Sequence, residues 1–179
     1  LSESCFRAVY KAIEIAKKHN LKIVFDPNIR FKVWNDKEQM KKIILDIASK
    51  SDILLPGLSE AKILLELSDE IDILNRFLDL GPEIVVLKVG EDGAYLGTRE
   101  EITHIPGYKV ERIVDPIGAG DAFAAGFLAG LINGYTLKDA VRLANAAGAF
   151  ALTVKGDVEG LPTWGDLEAF FGNNDGFTR

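Results

Sequence analysis

The chain has 179 residues, 47% of them hydrophobic and 27% charged, a composition typical of one soluble globular domain with a sizeable core. Its net charge of −6 and isoelectric point near 5.0 argue against nucleic acid as a partner, because the basic footprint that binds phosphates is missing. Cys5 is the only cysteine, which excludes an internal disulfide. With no apolar run of about 18 residues and no export-like start, the sequence predicts a cytoplasmic protein that does not contact a membrane.

Apolar residues alternate between helical and strand spacing along the first half of the chain. Phe6, Val9, Ile13 and Ala16 lie three or four residues apart and predict a first helix that closes at 19–20. Strands are predicted at 22–26, 52–56 and 83–88, and helices at 36–49, 59–67 (capped by Ser59) and 70–80. Continuous apolar strands separated by helices favour a parallel sheet covered on both faces.

The second half begins with shorter elements. Two antiparallel strands are predicted at 94–96 and 102–105, followed by helices at 119–133, 136–154 and 164–170, and the tail at 173–179 is predicted to be frayed. Polar segments at 27–30, 56–60 and 90–93 each follow a predicted strand. Because ligands of open α/β sheets bind outside the carboxyl ends of the strands, these segments are expected to share one site.

The most informative stretch is Asp115-Pro-Ile-Gly-Ala-Gly-Asp121, which precedes an apolar helix. Gly118, Ala119 and Gly120 have almost no side chain, so a phosphate can approach their backbone N–H groups at the positive end of the helix dipole. Asp121 is the only charged residue between Asp115 and Lys138. From the residue alone it is either a general base or a first-turn cap.

Other glycine motifs do not fit this stretch. A P-loop needs Gly-Lys-Ser/Thr where Gly120-Asp121-Ala122 stands, and a dinucleotide fingerprint needs a small residue where Phe123 stands. With its aspartate, the stretch resembles the second signature of the ribokinase-like (PfkB) carbohydrate kinases, Asp-Thr-x-Gly-Ala-Gly-Asp, with Pro116 in place of Thr. The resemblance implies that Gly118, Ala119 and Gly120 cradle the transferring phosphoryl group and that Asp121 takes the proton of the sugar hydroxyl.

Two further segments extend this resemblance toward the sugar. Asp26-Pro-Asn-x-Arg30, with Trp34 after it, is similar to a motif of kinases for fructose and 2-keto-3-deoxygluconate, which implies that Arg30 contacts the substrate and Asn28 the cofactor. From the residue alone, Arg30 is either a bidentate clamp or paired with a nearby acidic side chain. Glu60 matches a magnesium-linked glutamate of the family, although Gly57 replaces the family's asparagine as it does in 2-keto-3-deoxygluconate kinases. A glutamate in a first helical turn can equally be solvated and dipole-stabilising.

The remaining candidates lie in turns and on one helix. By the resemblance, Lys88, Gly90 and Gly93 border the nucleotide, Asn145 lines the adenine site, and Asp157 contacts the sugar acid. Taken alone, these are a tight turn, a helix of small residues that packs closely, and a solvated glycine-rich loop. The resemblance also implies a monovalent cation, such as K⁺, near Asp115. His19 and His104 lack ligand spacing.

The resemblance, together with the predicted strands and helices, implies a ribokinase-like three-layer α/β/α core with a mostly parallel sheet. Residues 1–172 are interpreted as the C-terminal part of a kinase domain, without the N-terminal strands and lid, and 173–179 as a tail. The implied reaction is ATP- and Mg²⁺-dependent phosphorylation of a sugar or sugar acid, namely 2-keto-3-deoxygluconate to its 6-phosphate, by a homo-oligomeric complete enzyme. The alternatives are a fructokinase or ribokinase, or a nucleotide-binding fragment without turnover.

Overall fold

A computed structural model describes residues 2–156 and 158–171 of the chain. The helices are α1 (Glu3–Lys18), α2 (Lys37–Ala48), α3 (Leu58–Leu65), α4 (Glu70–Leu80), α5 (Ala119–Ile132), α6 (Leu137–Ala151) and α7 (Trp164–Phe171). The strands are β1 (Val24–Phe25), β2 (Ile53–Leu54), β3 (Ile84–Lys88), β4 (Ala94–Thr98) and β5 (Ile102–Ile105). Short 3₁₀ turns occupy Phe31–Val33 and Gly90–Asp92. The chain is an α/β protein.

One sheet contains the five strands in the order β1-β2-β3-β4-β5. β1 pairs in parallel with β2, and β2 in parallel with β3. Three residues connect β4 to its neighbour β5, too few for a parallel crossover, so this pair is antiparallel. The predicted mixed, mostly parallel arrangement is confirmed.

Two compact units divide the chain. The first comprises the residues up to Lys88 together with Gly97–Thr103, and the second comprises Val89–Leu96 and the chain from His104 onward. In the first unit, the large, fully buried core side chains come from α2, α4, β3 and the segment that begins with β2: Met40, Leu54, Leu55, Ile73, Leu74, Phe77, Val85, Val86 and Leu87. β3 is buried along its middle, as expected for a strand covered on both faces.

In the second unit α5 and α6 pack closely through small residues. A Cβ added at Gly126 would lie 2.9 Å from Cβ of Ala147, and one at Gly130 would lie 2.8 Å from Cα of Ala140. Distances under 3 Å leave no room for a side chain, so these two glycines set the helix separation. The small residues of α6 therefore allow close helix packing, as the sequence indicates when the helix is considered alone.

The predicted elements are found with shifted ends. α4 has both predicted bounds, whereas β1 and β2 are shorter than the predicted runs and α6 ends at Ala151 instead of Val154. Ser59 was predicted to cap α3, and this is wrong. α3 begins at Leu58 with Gly57 as its N-cap, because the Glu60 carboxylate accepts the Gly57 N–H and so satisfies the helix start. The predicted tail at 173–179 lies outside the described residues.

Candidate active site

The loop before α5 makes a turn that depends on glycine. Gly118 is the N-cap of α5 with φ of +80°, a left-handed conformation that side chains disfavour. Its carbonyl accepts the first hydrogen bond of the helix, from Ala122 N at 2.8 Å. The N–H groups of Ala119, Gly120 and Asp121 precede this first bond. They have no partner within the described residues.

These three successive donors form a place for an anion. They lie in the first turn of a 14-residue helix, where the free N–H groups and the helix dipole both favour negative charge. Ala119 and Gly120 present no side chain beyond a methyl group. The geometry therefore fits a phosphate held by backbone donors.

Asp121 does not act as a cap in this structure. It occupies the third position of α5, from which a capping carboxylate would reach back to the N-cap N–H. Its side chain is exposed, and nothing in the described part of the chain hydrogen-bonds or ion-pairs with it. The carboxylate beside the anion site is free to accept a proton.

Asp115 fixes the other end of the loop. Its Oδ1 accepts from Ile117 N at 3.0 Å and its Oδ2 from Gly156 N at 3.4 Å. The preceding Val114 N donates to Leu152 O at 2.8 Å. These bonds join the signature loop to the segment after α6. Asp157, predicted to contact the sugar acid, lies outside the described residues.

Asn145 is a buried polar side chain of α6, 6% exposed. Its Nδ2 donates to Ile105 O at 3.1 Å and to Pro106 O at 3.0 Å. Both amide protons are thus used to hold the segment that follows β5. The structure gives Asn145 a structural role, and its role at the adenine stays a prediction.

The turn at Gly90–Gly93 packs against the same segment. Gly90 and Gly93 have φ of +71° and +98°, and a Cβ on Gly93 would lie 2.3 Å from Gly107 N and from Ile105 O. Gly93 is therefore required by packing as well as by conformation. A Cβ at Gly90 would meet nothing within 4 Å, so that side of the turn is open.

In the first unit, the parallel strands bring charged side chains to one edge of the sheet. Lys88 Nζ lies 2.6 Å from Oδ2 of Asp26, and the two side chains are only 17% and 22% exposed. Burial raises the pKa of Asp26 above its ordinary value, and the Lys88 ammonium partly offsets this. The ammonium predicted to border the nucleotide is thus engaged in an ion pair. Local sequence does not indicate this pair, although both residues stand at the ends of predicted strands.

This ion pair gives a pH-dependent prediction for stability. Replacing Lys88 with Met should lower the free energy of unfolding by about 1–3 kcal/mol at neutral pH, because it leaves a half-buried carboxylate unpaired. The loss should shrink in acid. Asp26 has a raised pKa in the folded protein, so the folded state takes up the proton first as pH falls and the cost of the bare charge disappears.

Urea unfolding of the variant at about pH 7 and about pH 4 measures both losses. Lys22→Met is the matched control, since Lys22 is an exposed lysine paired with Glu83 in the same unit. A loss for Lys88→Met that is equal at the two pH values would contradict this account of Asp26.

Glu60 is half-buried in the first turn of α3. Its Oε2 accepts from Gly57 N at 2.9 Å and its Oε1 accepts from Ile29 N at 2.5 Å. The alternative of a merely solvated glutamate is therefore wrong. Glu60 connects the start of α3 to the loop after β1.

That loop carries Asn28 and Arg30. Asn28 has φ of +39°, and its N–H donates to Asp26 Oδ1 at 3.3 Å. Arg30 is exposed, and its guanidinium makes no ion pair or hydrogen bond with any residue that the structure describes. The alternative of an arginine paired with a neighbouring carboxylate is not observed, and the cation is available to a ligand.

Carboxylates of the described residues do not cluster into a metal centre. Within residues 2–156 and 158–171, no group of three or more His, Cys, Asp or Glu side chains is placed to hold a metal ion. In the same residues no helix is long and apolar enough to cross a membrane.

The fold is that of the ribokinase-like kinases. A crystal structure of a putative ribokinase II from E. coli in complex with ATP and Mg²⁺ matches with a TM-score of 0.89 at 33% identity, covering 97% of this chain and 56% of that chain. The model of the pfkB family carbohydrate kinases matches residues 1–164. The chain therefore belongs to the pfkB family of carbohydrate kinases.

Curated relatives include two 2-dehydro-3-deoxygluconokinases, and 2-dehydro is another name for 2-keto. The protein from Bacillus subtilis (strain 168) is 38% identical over 83% of this chain and 46% of its own length. The protein from Thermoproteus tenax is 36% identical over 91% of this chain and 49% of its own length. The chain thus spans about half the length of these relatives.

Proposed function

We propose that this chain is the C-terminal part of an ATP-dependent sugar kinase that phosphorylates 2-keto-3-deoxygluconate. The products are ADP and the 6-phosphate. One observation carries the proposal: three unpaired N–H groups at the start of α5 stand beside the unpaired carboxylate of Asp121, in a chain that belongs to the pfkB family.

The proposed chemistry follows from these groups. Asp121 takes the proton of the sugar hydroxyl while the hydroxyl oxygen bonds to the γ-phosphorus of ATP. The bond between that phosphorus and the oxygen that bridges it to the β-phosphate breaks, and ADP is released. Negative charge that develops on the phosphoryl oxygens is met by the donors of Ala119, Gly120 and Asp121. The nucleotide is bordered in this proposal by Lys88, Gly90, Gly93 and Asn145. Asn28, in the loop after β1, is a further contact to the nucleotide.

Metal ions have a limited place in the proposal. Mg²⁺, when bound, neutralises charge on the triphosphate. Glu60 is the candidate carboxylate linked to this ion, which in such sites keeps water and phosphate ligands. Asp115, in the loop joined to Gly156, is the candidate contact for a monovalent cation.

The choice of sugar rests on Arg30 and on two relatives. The unpaired guanidinium of Arg30 suits the carboxylate of a sugar acid, and 2-dehydro-3-deoxygluconokinases are 38% and 36% identical to this chain. A fructokinase or ribokinase is the second candidate, because fructokinases of Oryza sativa and Zea mays are also relatives, each 31% identical. Asp157 remains the further candidate contact to the acid.

ADP release by the full-length protein tests the proposal with three sugars: 2-keto-3-deoxygluconate, fructose and ribose. A higher kcat/KM for the acid than for either neutral sugar is expected. Assaying the 179-residue chain alone, beside its ATP affinity, tests the other alternative of a nucleotide-binding fragment without turnover. Turnover of no sugar by the full-length protein would overturn the kinase proposal.

The anion site gives a separate prediction. Replacing Gly120 with Val puts a branched side chain where the phosphate approaches, and losing one charge-assisted hydrogen bond costs about 1.5–3 kcal/mol, roughly 10- to 100-fold in ATP Kd. Turnover should fall as well. Calorimetric titration of ATP gives the Kd, and thermal unfolding is measured in parallel.

Ala125→Val is the control for this variant, because it puts the same residue at an exposed position of the same helix. Wild-type ATP affinity in a folded Gly120→Val protein would count against the cradle.

A further inference from the structure

The loop that carries Arg30 is held by two acidic side chains. Ile29 N donates to Glu60 Oε1 at 2.5 Å and Asn28 N donates to Asp26 Oδ1 at 3.3 Å. The Ile29 side chain is itself buried, 9% exposed. The backbone that precedes Arg30 is therefore held in place, whereas the Arg30 side chain has no partner among the described residues.

Glu60 is well placed to fix this loop because it is itself attached to the edge of the sheet. Its second oxygen accepts from Gly57 N at 2.9 Å, and Gly57 forms a parallel bridge with Lys88 at the end of β3. Lys88 in turn holds Asp26 at the end of β1. The start of α3 and the loop after β1 are thus joined through one carboxylate.

We propose that Glu60 is a positioning residue for the sugar acid, which holds the Asp26–Arg30 loop so that the Arg30 guanidinium meets the substrate carboxylate. This role rests on the proposed function. It uses the two acceptor oxygens of Glu60, whereas a magnesium-linked role uses its negative charge. The two roles therefore differ in what an amide at this position would preserve.

A double-mutant cycle in the full-length protein tests the coupling between Glu60 and Arg30. Glu60→Ala should raise KM for 2-keto-3-deoxygluconate about 10-fold, with KM for ATP little changed, because misplacing a binding group by about 1 Å is costly. In an Arg30→Ala background the same change should raise KM for the sugar by less than about 2-fold. Equal effects in both backgrounds would overturn the proposal.

Glu60→Gln distinguishes the positioning of Arg30 from a role in metal binding. It also replaces Glu60→Ala as the test variant if Glu60→Ala does not fold. An amide keeps one acceptor oxygen for the loop but loses the charge. We therefore expect a KM for the sugar between those of wild type and Glu60→Ala, while the Mg²⁺ concentration for half-maximal rate, measured separately, reports the proposed magnesium link of Glu60. A raised Mg²⁺ requirement with a wild-type KM for the sugar would assign Glu60 to the metal and overturn positioning.

Two controls complete the design. Glu14→Ala removes an exposed carboxylate of α1 in the same unit and should leave every kinetic constant at its wild-type value. Wild-type turnover of the acid is measured first, so failure of the proposed function is seen before any variant is compared. If the acid is not turned over, both proposals fall; if it is, the cycle decides the role of Glu60 alone.

Discussion

Replacing Asp121 with Asn is expected to lower kcat of the full-length enzyme by about 10²- to 10⁴-fold, the usual contribution of a positioned general base. ATP affinity should stay nearly unchanged. The substitution is almost isosteric, and the N–H groups of Ala119 and Gly120 that precede it in α5 are not altered. Steady-state kinetics with the preferred sugar give kcat, and calorimetric titration gives the Kd for ATP.

A helix-cap role for Asp121 makes the opposite prediction, namely lower stability with an unchanged kcat. Asp139 provides a matched control, because it holds the same third position in α6 and there accepts the Thr136 hydroxyl and pairs with Arg142 at 3.1 Å. Asp139→Asn should lower the melting temperature without changing kcat. Wild-type kcat in Asp121→Asn would remove the base from the proposed mechanism.

The order of helices and strands was predicted well, because it follows from the spacing of apolar residues alone. The period of three to four residues in α1 and the apolar run of β3 are visible in any short window. The ends were predicted less well. α3 starts at Leu58 because the Glu60 carboxylate satisfies Gly57 N, and a carboxylate three residues into the helix competes with the more obvious serine cap.

The side-chain partners of the candidate site could not be predicted from local sequence. Asp26 and Lys88 are 62 residues apart in sequence, and Ile29 and Glu60 are 31 residues apart. Such pairs depend on strand order and register, which the spacing of apolar residues does not specify. The parallel sheet was predicted correctly, but it indicated only that these side chains lie at one edge of the sheet and not which of them pair.

Backbone donors and side-chain contacts also differ in how well local sequence predicts them. In the proposed mechanism Ala119, Gly120 and Asp121 act through backbone N–H groups, whose direction follows from the start of one helix and is encoded within seven residues of sequence. The Asn145 side chain, by contrast, donates hydrogen bonds to Ile105 and Pro106, which are 40 and 39 residues away in sequence. A motif therefore indicates the backbone donors, whereas only the structure shows the hydrogen-bond partners of Asn145.

Replacing Arg30 with Ala is expected to raise KM for 2-keto-3-deoxygluconate by about 10- to 100-fold and KM for ATP by much less. The reason is that a charge-assisted contact to a carboxylate is worth about 1.5–3 kcal/mol, and the Arg30 guanidinium has no partner among the described residues that would need it for stability. Steady-state kinetics with each substrate varied in turn measure both constants.

Arg7→Ala serves as the control for Arg30→Ala, because Arg7 is an exposed arginine of α1 in the same unit, paired with Glu3 at 3.3 Å. It should change neither KM. Fructose supplies a second control, since a neutral sugar offers no carboxylate, so Arg30→Ala should narrow the preference for the acid over fructose by the factor that it adds to KM for the acid. If Arg30→Ala impairs ATP alone, or if fructose is the better substrate of the wild type, Arg30 does not recognise an acid. The kinase proposal, which depends on Gly118 to Asp121, would stand without it.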